Sequence, residues 1–473
     1  WRLLKESNDY DFKLVEFQKD LILNHYLNDD IESLKNILKS GGNLIRNFAE
    51  ISNKSLFRNS MIGTKLLIHD YINLIKRVLV KIYVSNDPHT TSSFLRYYSD
   101  EKFEFFSNLK KNFGNTALIL QGGTIFGMFH LGVIKSLYYQ NLLPLIMLGS
   151  GYGSCIASII CATPNTHLNL FFKNLEKDLI KFIDNNYNSY NKYNQFYDNN
   201  YDIFDEILLK SIYNNDNLTF LKFTIFRLNN LTFEESFVQS GGRILNIIIY
   251  INKTPILLNH ITTPNVIISS AIIASIIPTN NNVLLIKDFN DNIINLKEFK
   301  FEMSPYQRLT ELFNVNNFII SLARPYLSSL ISNQIKFIET KNHFKSYFKT
   351  YYYFKFKNLI KLQLIHFLEN YLIHLNFEIN FFRKLTVDEK TPRSLSSSIT
   401  IVPKESKTNM AKLIIRSGSR INYRNSIATN IRNNLVCSID NMAYWIQLGE
   451  KSVWPMLPIL DVRCSIEFLL ESI

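Results

Sequence analysis

Residues 145–153 read Leu-Ile-Met-Leu-Gly-Ser-Gly-Tyr-Gly. Four apolar residues run into a glycine-rich turn, and the residues that follow have the composition of a helix. A strand, a sharp turn and a helix form the nucleophile elbow G-x-S-x-G, which holds a serine at the top of a sheet. Here Gly151 stands at the serine position of that frame. The sequence therefore predicts the corner of a serine hydrolase, formed by Gly149, Ser150 and Gly153, without its nucleophile.

A second glycine-rich turn lies upstream of the elbow. The apolar stretch Thr116–Leu120 is followed by Gln-Gly-Gly-Thr-Ile-Phe-Gly at 121–127, and Met128–Gln140 has apolar residues near helical spacing. Backbone N–H groups in such a turn, at the start of a helix, can stabilise a developing negative charge. The order strand, turn, helix, strand, elbow, helix predicts a βαβ unit and hence a parallel sheet. We interpret as an oxyanion loop the residues Gly122, Gly123 and Thr124.

Segments along almost the whole chain resemble one family, the patatin-like lipases, and within it the fungal triacylglycerol lipases of lipid droplets. Their common order and wide spread make the resemblance specific. The segments are Ile62–Ile68, Phe126–Val133, Thr232–Ser236, Gly242–Ile247, Thr263–Ile268, Leu309–Asn316, Thr400–Pro403 and Gly449–Pro455. The two segments that begin at Thr232 and Gly242 match a later strand of the family.

The resemblance implies an α/β protein with a patatin-like three-layer fold, in which a mainly parallel central sheet is preceded and followed by helical regions. We expect an N-terminal helical region at 1–113, the patatin-like domain at 114–325 and a C-terminal region at 326–473. The C-terminal region begins with an aromatic and basic stretch and crosses a serine-rich linker at 392–398. We expect it to close with a strand and a helix around Trp454.

The family uses a serine–aspartate dyad without a histidine, so the resemblance implies where the catalytic residues should stand. The aspartate is expected in an Asp-Gly dipeptide shortly before the Leu-Phe-Asn-Val segment, and counting back from Pro305 places it near Lys297. The third glycine of the family's oxyanion loop is Thr124 here. Together with Gly151, three parts of one catalytic apparatus differ from the family. We therefore predict a catalytically impaired pseudo-lipase that acts by lipid-surface binding or regulation in neutral lipid metabolism.

The alternative is that the chain is an active enzyme, because hydroxyl groups near the tip and one histidine could serve in catalysis. Ser150 lies one residue early on the turn, and the two-residue period of a strand points its side chain to the other face. Ser154 falls in the first turn of the helix, where hydroxyls usually cap. His25 and Asp30 have the spacing of an acyltransferase motif of some fungal relatives, while Asp30 also suits a helix cap. The alternative function is a triacylglycerol or acylglycerol hydrolase, or a lysophospholipid acyltransferase, with non-standard residues.

Charge and composition indicate the partners. A formal net charge of +12 favours anionic partners, either a phospholipid surface or nucleic acid. No nucleic-acid recognition motif accompanies this charge, so we expect no nucleic acid. No stretch reaches the roughly 20 apolar residues of a membrane span. We expect a peripheral protein at the lipid droplet surface or on the cytosolic face of the ER membrane, with lipid (triacylglycerol or a phospholipid surface) and an active lipase paralogue as partners.

One region combines basic and aromatic residues at helical spacing. Lysines recur in it every four residues, and aromatic residues do the same. On a helix these residues would form adjacent stripes, as in a helix that lies in a membrane interface. The alternative is a helix that packs on the sheet and exposes a lysine edge to solvent. The candidate membrane contacts are Lys341, Lys345, Lys349, Phe344, Phe348 and Tyr352.

Residue spacing argues against two other kinds of site. The run from Gly122 to Gly127 has phosphate-loop spacing, but Met128 and Phe129 stand where Lys and Ser/Thr would hold phosphate and Mg²⁺. No His/Cys/Asp cluster has metal-ligand spacing, so we expect no metal and no cofactor. We interpret as buried thiols of a reducing compartment the cysteines Cys155, Cys161, Cys437 and Cys464.

Overall fold

A computed structural model of the chain describes a central sheet and the helices around it. The described residues are 1–39, 46–57, 60, 63–85, 92–122, 126–175, 177–178, 219–251, 254–276, 284–288, 293–296, 304–324, 363, 398–403 and 439–473. The strands of the sheet are β1 (Asn115–Gln121), β2 (Ile146–Ser150), β3 (Ile244–Ile251), β4 (Thr254–Asn259), β7 (Val315–Leu322) and β8 (Ile399–Ile401). A separate two-stranded hairpin consists of β5 (Leu284–Lys287) and β6 (Ile293–Leu296).

The central sheet has the strand order β4-β3-β2-β1-β7-β8 within the described residues. Its neighbouring strands run parallel, except that β3 and β4 are antiparallel. β1 is buried along almost its whole length because both faces of the sheet are covered, which accounts for its continuous apolar run. The parallel strands therefore end at one common edge, which we call the carboxyl edge.

Helices surround the sheet and carry most of the remaining described residues. They are α1 (Phe12–Leu27), α2 (Ile31–Lys39), α3 (Leu66–Val84), α4 (Ser92–Phe113), α5 (Met128–Tyr139), α6 (Tyr152–Ala162), α7 (Thr219–Leu228), α8 (Phe233–Ser240), α9 (Ile268–Ile276), α10 (Pro305–Phe313), α11 (Ile439–Val453) and α12 (Leu457–Ser472). Short 3-10 turns span Phe48–Glu50, Lys54–Phe57 and Trp454–Met456, and a further helical stretch covers 165–175.

Alternate residues of β1 face two separate apolar cores. Leu118 and Leu120 belong to the larger core, which also takes in the N-terminal and C-terminal helices, while Ala117 and Ile119 belong to a smaller core. The smaller core is covered by α10, whose residues Tyr306, Leu309 and Phe313 are buried against it. Helix, sheet and helix thus form three layers. The predicted α/β fold, with a mainly parallel central sheet between helical regions, is confirmed.

The stretch Thr232–Ser236 was predicted as part of a strand, and this prediction is wrong. Thr232 is the N-cap of α8, and its hydroxyl accepts a hydrogen bond from the Glu235 N–H while the Glu235 carboxylate accepts one from the Thr232 N–H. This reciprocal pair is a capping box, which satisfies two backbone donors at a helix start. The strand of this segment, β3, begins only at Ile244.

The segment around Trp454 was predicted as a strand followed by a helix, but the structure is helical there. α11 leads through the 3-10 turn Trp454–Met456 into α12, and prolines stand at the start of both the turn and the following helix. Proline suits the first turn of a helix because the N–H it lacks would have no partner there. The C-terminal part contributes its strand elsewhere, as β8 beside β7.

A buried cluster joins the N-terminal part, the sheet and α12 at the edge opposite the carboxyl edge. The Arg46 guanidinium lies 3.0 Å from the Glu467 carboxylate. It also donates to the Gly114 carbonyl and to the Thr116 hydroxyl, each at 3.0 Å. Both charged side chains are buried, with 7% and 2% of their side-chain surface exposed. We call this group of residues the basal cluster.

Three of the four cysteines lie among the described residues and are buried and free, namely Cys155, Cys161 and Cys464. Burial raises the pKa of the Cys161 and Cys464 thiols to about 12, so these groups stay protonated. The prediction of buried thiols is confirmed for these three, and Cys437 lies outside the described residues. None of the helices in the described part of the chain combines the length and apolar composition that a membrane crossing requires.

Candidate functional site

The elbow forms at the carboxyl edge, where β2 passes into α6. Gly151 is the N-cap of α6 and has φ 59° and ψ −126°. This combination lies in a region that side chains with a Cβ rarely enter. The sharp turn of a nucleophile elbow is therefore present in the backbone.

The glycines on either side of the tip allow α6 to approach the sheet closely. A Cβ at Gly149 would lie 2.5 Å from the Ser154 Cα, and a Cβ at Gly153 would lie 2.4 Å from the Leu120 carbonyl oxygen. Neither position can carry a side chain without moving backbone. At Gly151, by contrast, no atom of the described residues beyond its chain neighbours lies within 4 Å of the position that a Cβ would take. The corner thus has room for a side chain at its tip and carries none.

The two serines considered from the sequence flank this tip and do not occupy it. Ser154 is fully buried, and its hydroxyl donates to the Gly151 carbonyl, three residues back in the chain, at 2.6 Å, so it does not cap the helix as the sequence suggested. Ser150 is the last residue of β2 and pairs in register with Gln121 of β1 and Ile248 of β3. It is half-buried at the carboxyl edge, one residue before the tip.

A third serine, Ser275 of α9, reaches the elbow from a distant part of the sequence. Its hydroxyl accepts a hydrogen bond from the Gly151 N–H at 2.9 Å and donates one to the Ile248 carbonyl at 2.7 Å. Sequence reasoning missed this residue, because its only signal is a serine within the apolar stretch Val266–Ile277. The proton of the Ser275 hydroxyl is directed at a backbone carbonyl, which cannot act as a general base.

The second glycine-rich turn follows β1 at the same edge, and Gly123 and Thr124 of it lie outside the described residues. Gly122 has φ +75°, and its carbonyl oxygen lies 3.4 Å from His130 Nε2. His130 Nδ1 is 2.8 Å from the Ser321 hydroxyl at the end of β7. The arrangement fits a neutral imidazole that donates from Nε2 and accepts at Nδ1.

Burial keeps this imidazole neutral. His130 has no exposed surface, and burial lowers its pKa from 6.5 to about 4, with the charge of Arg324 adding to the effect. His130 is therefore a packed interior residue. Its two hydrogen bonds connect the turn after β1 to β7, so the histidine holds the turn in place rather than reacting.

A buried guanidinium lies directly against the same turn. A Cβ on Gly122 would stand 2.8 Å from Arg324 Nε and 3.5 Å from its Cζ. Arg324 follows the end of β7 and is only 7% exposed. The positive charge therefore sits at the carboxyl edge beside the first part of the predicted oxyanion loop, in a place that only glycine leaves open.

The C-terminal helix α11 supports the helix that follows this turn. A Cβ on Gly132 of α5 would lie 2.0 Å from the Ile446 carbonyl oxygen, and a Cβ on Gly449 of α11 would lie 2.3 Å from the Phe129 carbonyl oxygen. The two helices therefore cross with their backbones in contact. At the turn itself, the Phe126 and Trp445 rings pack edge to face with centroids 4.8 Å apart. Two segments of the family resemblance, Phe126–Val133 and Gly449–Pro455, thus meet here.

The structure does not describe several predicted site residues. The acid position near Lys297 and all six candidate membrane contacts, Lys341, Lys345, Lys349, Phe344, Phe348 and Tyr352, lie outside the described residues. Asp288, upstream of the acid position, lines an open cavity of about 550 Å³ beside α8 together with Thr232, Glu235 and Lys287.

Two further predictions from the sequence concern the His25–Asp30 pair and metal binding. His25 Nδ1 and the Asp30 carboxylate are 3.3 Å apart, and Asp30 also accepts from the Ser33 N–H at 3.1 Å at the start of α2. The capping interpretation of Asp30 is therefore confirmed. In the described ranges, no group of three or more His, Cys, Asp or Glu side chains is placed to hold a metal ion.

Comparison with known proteins identifies two matching domain models and relatives that align along the whole of this chain. A model described as "Domain of unknown function (DUF3336)" matches residues 1–111, and one described as "Patatin-like phospholipase" matches residues 118–279. The domain boundaries that we predicted at residues 113 and 325 are not tested by these matches and stay predictions. No solved structure matches the chain.

The relatives are fungal proteins that align with the whole chain. Triacylglycerol lipase 3 of Saccharomyces cerevisiae is 30% identical over 578 residues, which cover 100% of this chain and 84% of that protein. Triacylglycerol lipase ptl1 of Schizosaccharomyces pombe is 28% identical over 493 residues, covering 100% of this chain and 79% of that protein. Triacylglycerol lipase 5 of S. cerevisiae is 27% identical, and the chain covers 60% of its length.

Proposed function

The chain belongs to the family of patatin-like triacylglycerol lipases, and from this premise we propose that it is a member that holds lipid without hydrolysing it. One observation carries the proposal. The elbow keeps its φ/ψ geometry and an open tip, and the residue at that tip is Gly151. A corner of this kind can receive a lipid ester, but the residue at its tip has no side-chain hydroxyl to attack it.

The hydrogen bonds around the tip support the same conclusion. The proton of the Ser154 hydroxyl goes to the Gly151 carbonyl, and that of the Ser275 hydroxyl goes to the Ile248 carbonyl. A serine nucleophile needs an adjacent base that takes its proton. Both hydroxyls are instead engaged with backbone carbonyls.

The expected loss of activity is large. Removing the serine of a serine hydrolase costs about a million-fold in kcat, and the remaining parts sustain only a small residual rate over water. The differences at Thr124 and near Lys297 add little further loss once the nucleophile is absent, because the parts of such a site act as a unit. Any residual turnover would therefore be far below that of a working lipase.

The proposal also covers the cellular location of the protein and its binding partners. We propose that the protein acts peripherally at the lipid droplet surface or the cytosolic face of the ER membrane, binding triacylglycerol or a phospholipid surface and regulating an active lipase paralogue. The net charge of +12 supports attraction to anionic lipid. The relatives that carry the name triacylglycerol lipase support neutral lipid as the substrate class of the family.

A second candidate function is an active acylglycerol hydrolase or acyltransferase that uses a non-standard hydroxyl. The observation that favours it is the position of Ser275, whose hydroxyl is 2.9 Å from the Gly151 N–H at the tip. In this candidate the elbow would orient a nucleophile that comes from α9 instead of from its own turn.

One experiment decides between the two candidates. The purified protein is given p-nitrophenyl butyrate and triolein, in parallel with Ser150→Ala, Ser154→Ala and Ser275→Ala variants. A fluorophosphonate probe followed by peptide mapping reports any reactive serine. We expect no turnover above the blank and no covalent adduct. Turnover that one of the alanine variants abolishes, or an adduct mapped to a serine at the corner, would establish the second candidate instead.

A further inference from the structure

A pocket of about 460 Å³ lies at the C-terminal end of α6. The end of α6, the helical stretch 165–175, the end of α7 and α8 form its walls, and all its lining residues belong to the described part of the chain. The elbow lies at the other end of α6, and a helix of 11 residues spans about 16 Å. Small-molecule sites have volumes of about 300–1,000 Å³. The pocket therefore has the size of a ligand site and is separate from the elbow.

Contacts outside the pocket hold its walls in place. Arg243 is only 3% exposed, and its guanidinium donates to the Ile160 and Thr163 carbonyls at 2.8 and 3.0 Å. It thereby offsets the negative end of the α6 dipole. Asn229 follows α7 with φ 49°, and its carbonyl accepts a hydrogen bond from the Ser269 hydroxyl at 2.9 Å. The two helix ends that border the pocket are thus fixed before any ligand binds.

A guanidinium and a carboxylate share this pocket. Arg227 Cζ lies 4.8 Å from the centroid of the buried Phe171 ring. This contact occupies one face of the guanidinium, while its N–H donors point outward in its plane. In the part of the chain that the structure describes, no group accepts a hydrogen bond from these donors. Partial burial lowers the pKa of Arg227, and the negative charge of Asp178 acts in the opposite direction.

The remaining polar side chains determine the rest of the ligand. Three amides line the pocket, those of Asn174, Asn229 and Gln239. An amide donates and accepts hydrogen bonds and a carboxylate accepts them, so these groups suit hydroxyls. The guanidinium suits a phosphate, which it can bind through two parallel N–H···O bonds. A bare phosphate would be repelled by Asp178, and hydrocarbon would leave the amides without partners. A ligand with a phosphate and several hydroxyls satisfies all of them.

We propose that this pocket binds a phosphorylated polyol, with the phosphate on the Arg227 guanidinium and the hydroxyls on Asp178 and the side-chain amides. The source of the ligand is either the headgroup of an inositol phospholipid or a free sugar or inositol phosphate. The surroundings favour the phospholipid, because Leu170 lines the pocket with 55% of its surface exposed and Lys173 is exposed on the same helical stretch. The pocket itself goes beyond the proposed function, and only the phospholipid source rests on it.

Three soluble probes test the proposal on the whole chain. Isothermal titration calorimetry compares myo-inositol 1-phosphate with its two fragments, myo-inositol and inorganic phosphate. The variants are Arg227→Gln, Asp178→Ala and the control Arg77→Gln, which removes the same charge from an exposed position of α3 that does not line the pocket. Thermal melts verify that each variant is folded.

We expect wild type to bind the inositol phosphate more tightly than either fragment. Arg227→Gln should weaken this binding about 10- to 100-fold, because it removes hydrogen bonds to a charged group. Asp178→Ala should weaken binding of the inositol phosphate but not of inorganic phosphate, because it removes an acceptor for hydroxyls together with a charge that repels phosphate. Arg77→Gln should bind like wild type.

The wild-type measurement alone can overturn the proposal, even if a variant fails to fold. Equal binding of inorganic phosphate and inositol phosphate would show a simple anion site, and equal binding of myo-inositol would show that the phosphate is not recognised. Failure of all three probes to bind would overturn the proposal as well. Unchanged binding by a folded Arg227→Gln variant would contradict the assigned role of the guanidinium.

A second set of probes identifies the source of the polyol phosphate. Co-sedimentation is measured with phosphatidylcholine vesicles that contain the same molar fraction of either phosphatidylinositol or phosphatidylserine, two lipids of equal net charge. A preference for phosphatidylinositol that Arg227→Gln abolishes and Arg77→Gln retains would assign the pocket to a lipid headgroup. Binding of soluble inositol phosphate without this preference would assign it to a free polyol phosphate.

The outcomes separate this inference from the proposed function. Equal sedimentation with both kinds of vesicle, together with no binding of soluble inositol phosphate, would overturn the pocket and leave the proposed binding to a lipid surface standing. Absence of sedimentation with either kind of vesicle would contradict that part of the proposed function, whatever the soluble probes show.

Discussion

Gly149, Gly151 and Gly153 lie within one turn, yet their surroundings differ. Side chains at the outer two positions would collide with the Ser154 and Leu120 backbones, whereas the space at Gly151 is open. The outer glycines are thus required by packing between α6 and the sheet. The central residue is required only to adopt a positive φ, which in a nucleophile elbow is a strain that the serine tolerates.

A variant with serine at the tip should therefore fold but should not hydrolyse esters. Gly151→Ser is expected to lower the free energy of unfolding by about 1–3 kcal/mol, because a residue with a Cβ is strained at this φ. We expect no ester hydrolysis from it, since the predicted dyad aspartate is replaced near Lys297. Urea unfolding and p-nitrophenyl butyrate turnover measure the two effects. Gly153→Ser is the control and should be far less stable; rapid hydrolysis by Gly151→Ser would mean that an acid partner exists and that its assigned position is wrong.

His130 should make stability depend on pH. Its folded pKa of about 4 lies below the ordinary 6.5, so the unfolded chain takes up the proton first as pH falls. Stability is thus fully present above pH 6.5 and decreases by about 3 kcal/mol as pH falls to 4. Unfolding free energies measured across this range should show the slope in wild type and a shallower one in His130→Gln. Parallel curves for the two proteins would contradict the buried neutral imidazole.

At the scale of elements, the crossing of α5 and α11 decides how the turn after β1 is supported. Gly132 and Gly449 let the helix backbones touch, and Lys135 and Glu450 form an ion pair of 2.7 Å beside the crossing. Trp445 of α11 is buried against Phe126, which precedes α5. The C-terminal part of the chain therefore helps to shape the carboxyl edge.

Gly449→Val should separate these helices. A side chain there would meet the Phe129 carbonyl, and overpacking of this kind costs about 1–3 kcal/mol. We expect a lower midpoint of urea unfolding and weaker protection of the α5 amides in hydrogen exchange. Ala443→Leu, on an exposed position of the same helix, is the control and should change neither measurement. Unchanged stability of Gly449→Val would argue against the close crossing.

The sequence predicts those elements whose signals are local and misses those that depend on distant partners. The apolar run before Gly149 and the glycine spacing after it suffice for the strand, the turn and the helix of the elbow. Nothing local indicates that Ser275 reaches Gly151, or that Gly449 meets Phe129, because these contacts join residues far apart in the chain. The prediction of a strand at Thr232 is wrong for the opposite reason. There a local signal, the capping box of Thr232 and Glu235, starts a helix, although the segment matches a strand of the family.

For the whole molecule, the basal cluster ties together parts that the domain models treat separately. Arg46 belongs to the N-terminal part, Thr116 to β1 and Glu467 to α12, and all three are buried. A buried charge that loses its partner costs far more than an exposed one. The three parts should therefore unfold in one transition.

Glu467→Gln tests this coupling. Removing one partner of a buried ion pair costs about 3–5 kcal/mol, because the other charge stays buried without compensation. We expect thermal unfolding to begin at lower temperature, still as a single transition in calorimetry. Asp461→Asn, on the same helix but in a half-exposed pair with Lys76, should change stability by less than about 1 kcal/mol. Two separate transitions in Glu467→Gln would show that the N-terminal part folds independently.

The position of β1 also limits how the protein can be divided. The residues matched by the patatin-like phospholipase model, 118–279, include β2, β3 and β4 but omit β7 and β8. Expressed alone, that piece would leave β1 as an exposed and apolar edge strand. The unpaired backbone N–H and C=O groups of such a strand favour pairing with other chains. The piece should therefore aggregate. Biochemical work on this protein needs a chain that includes β7, which begins about two hundred residues after β1.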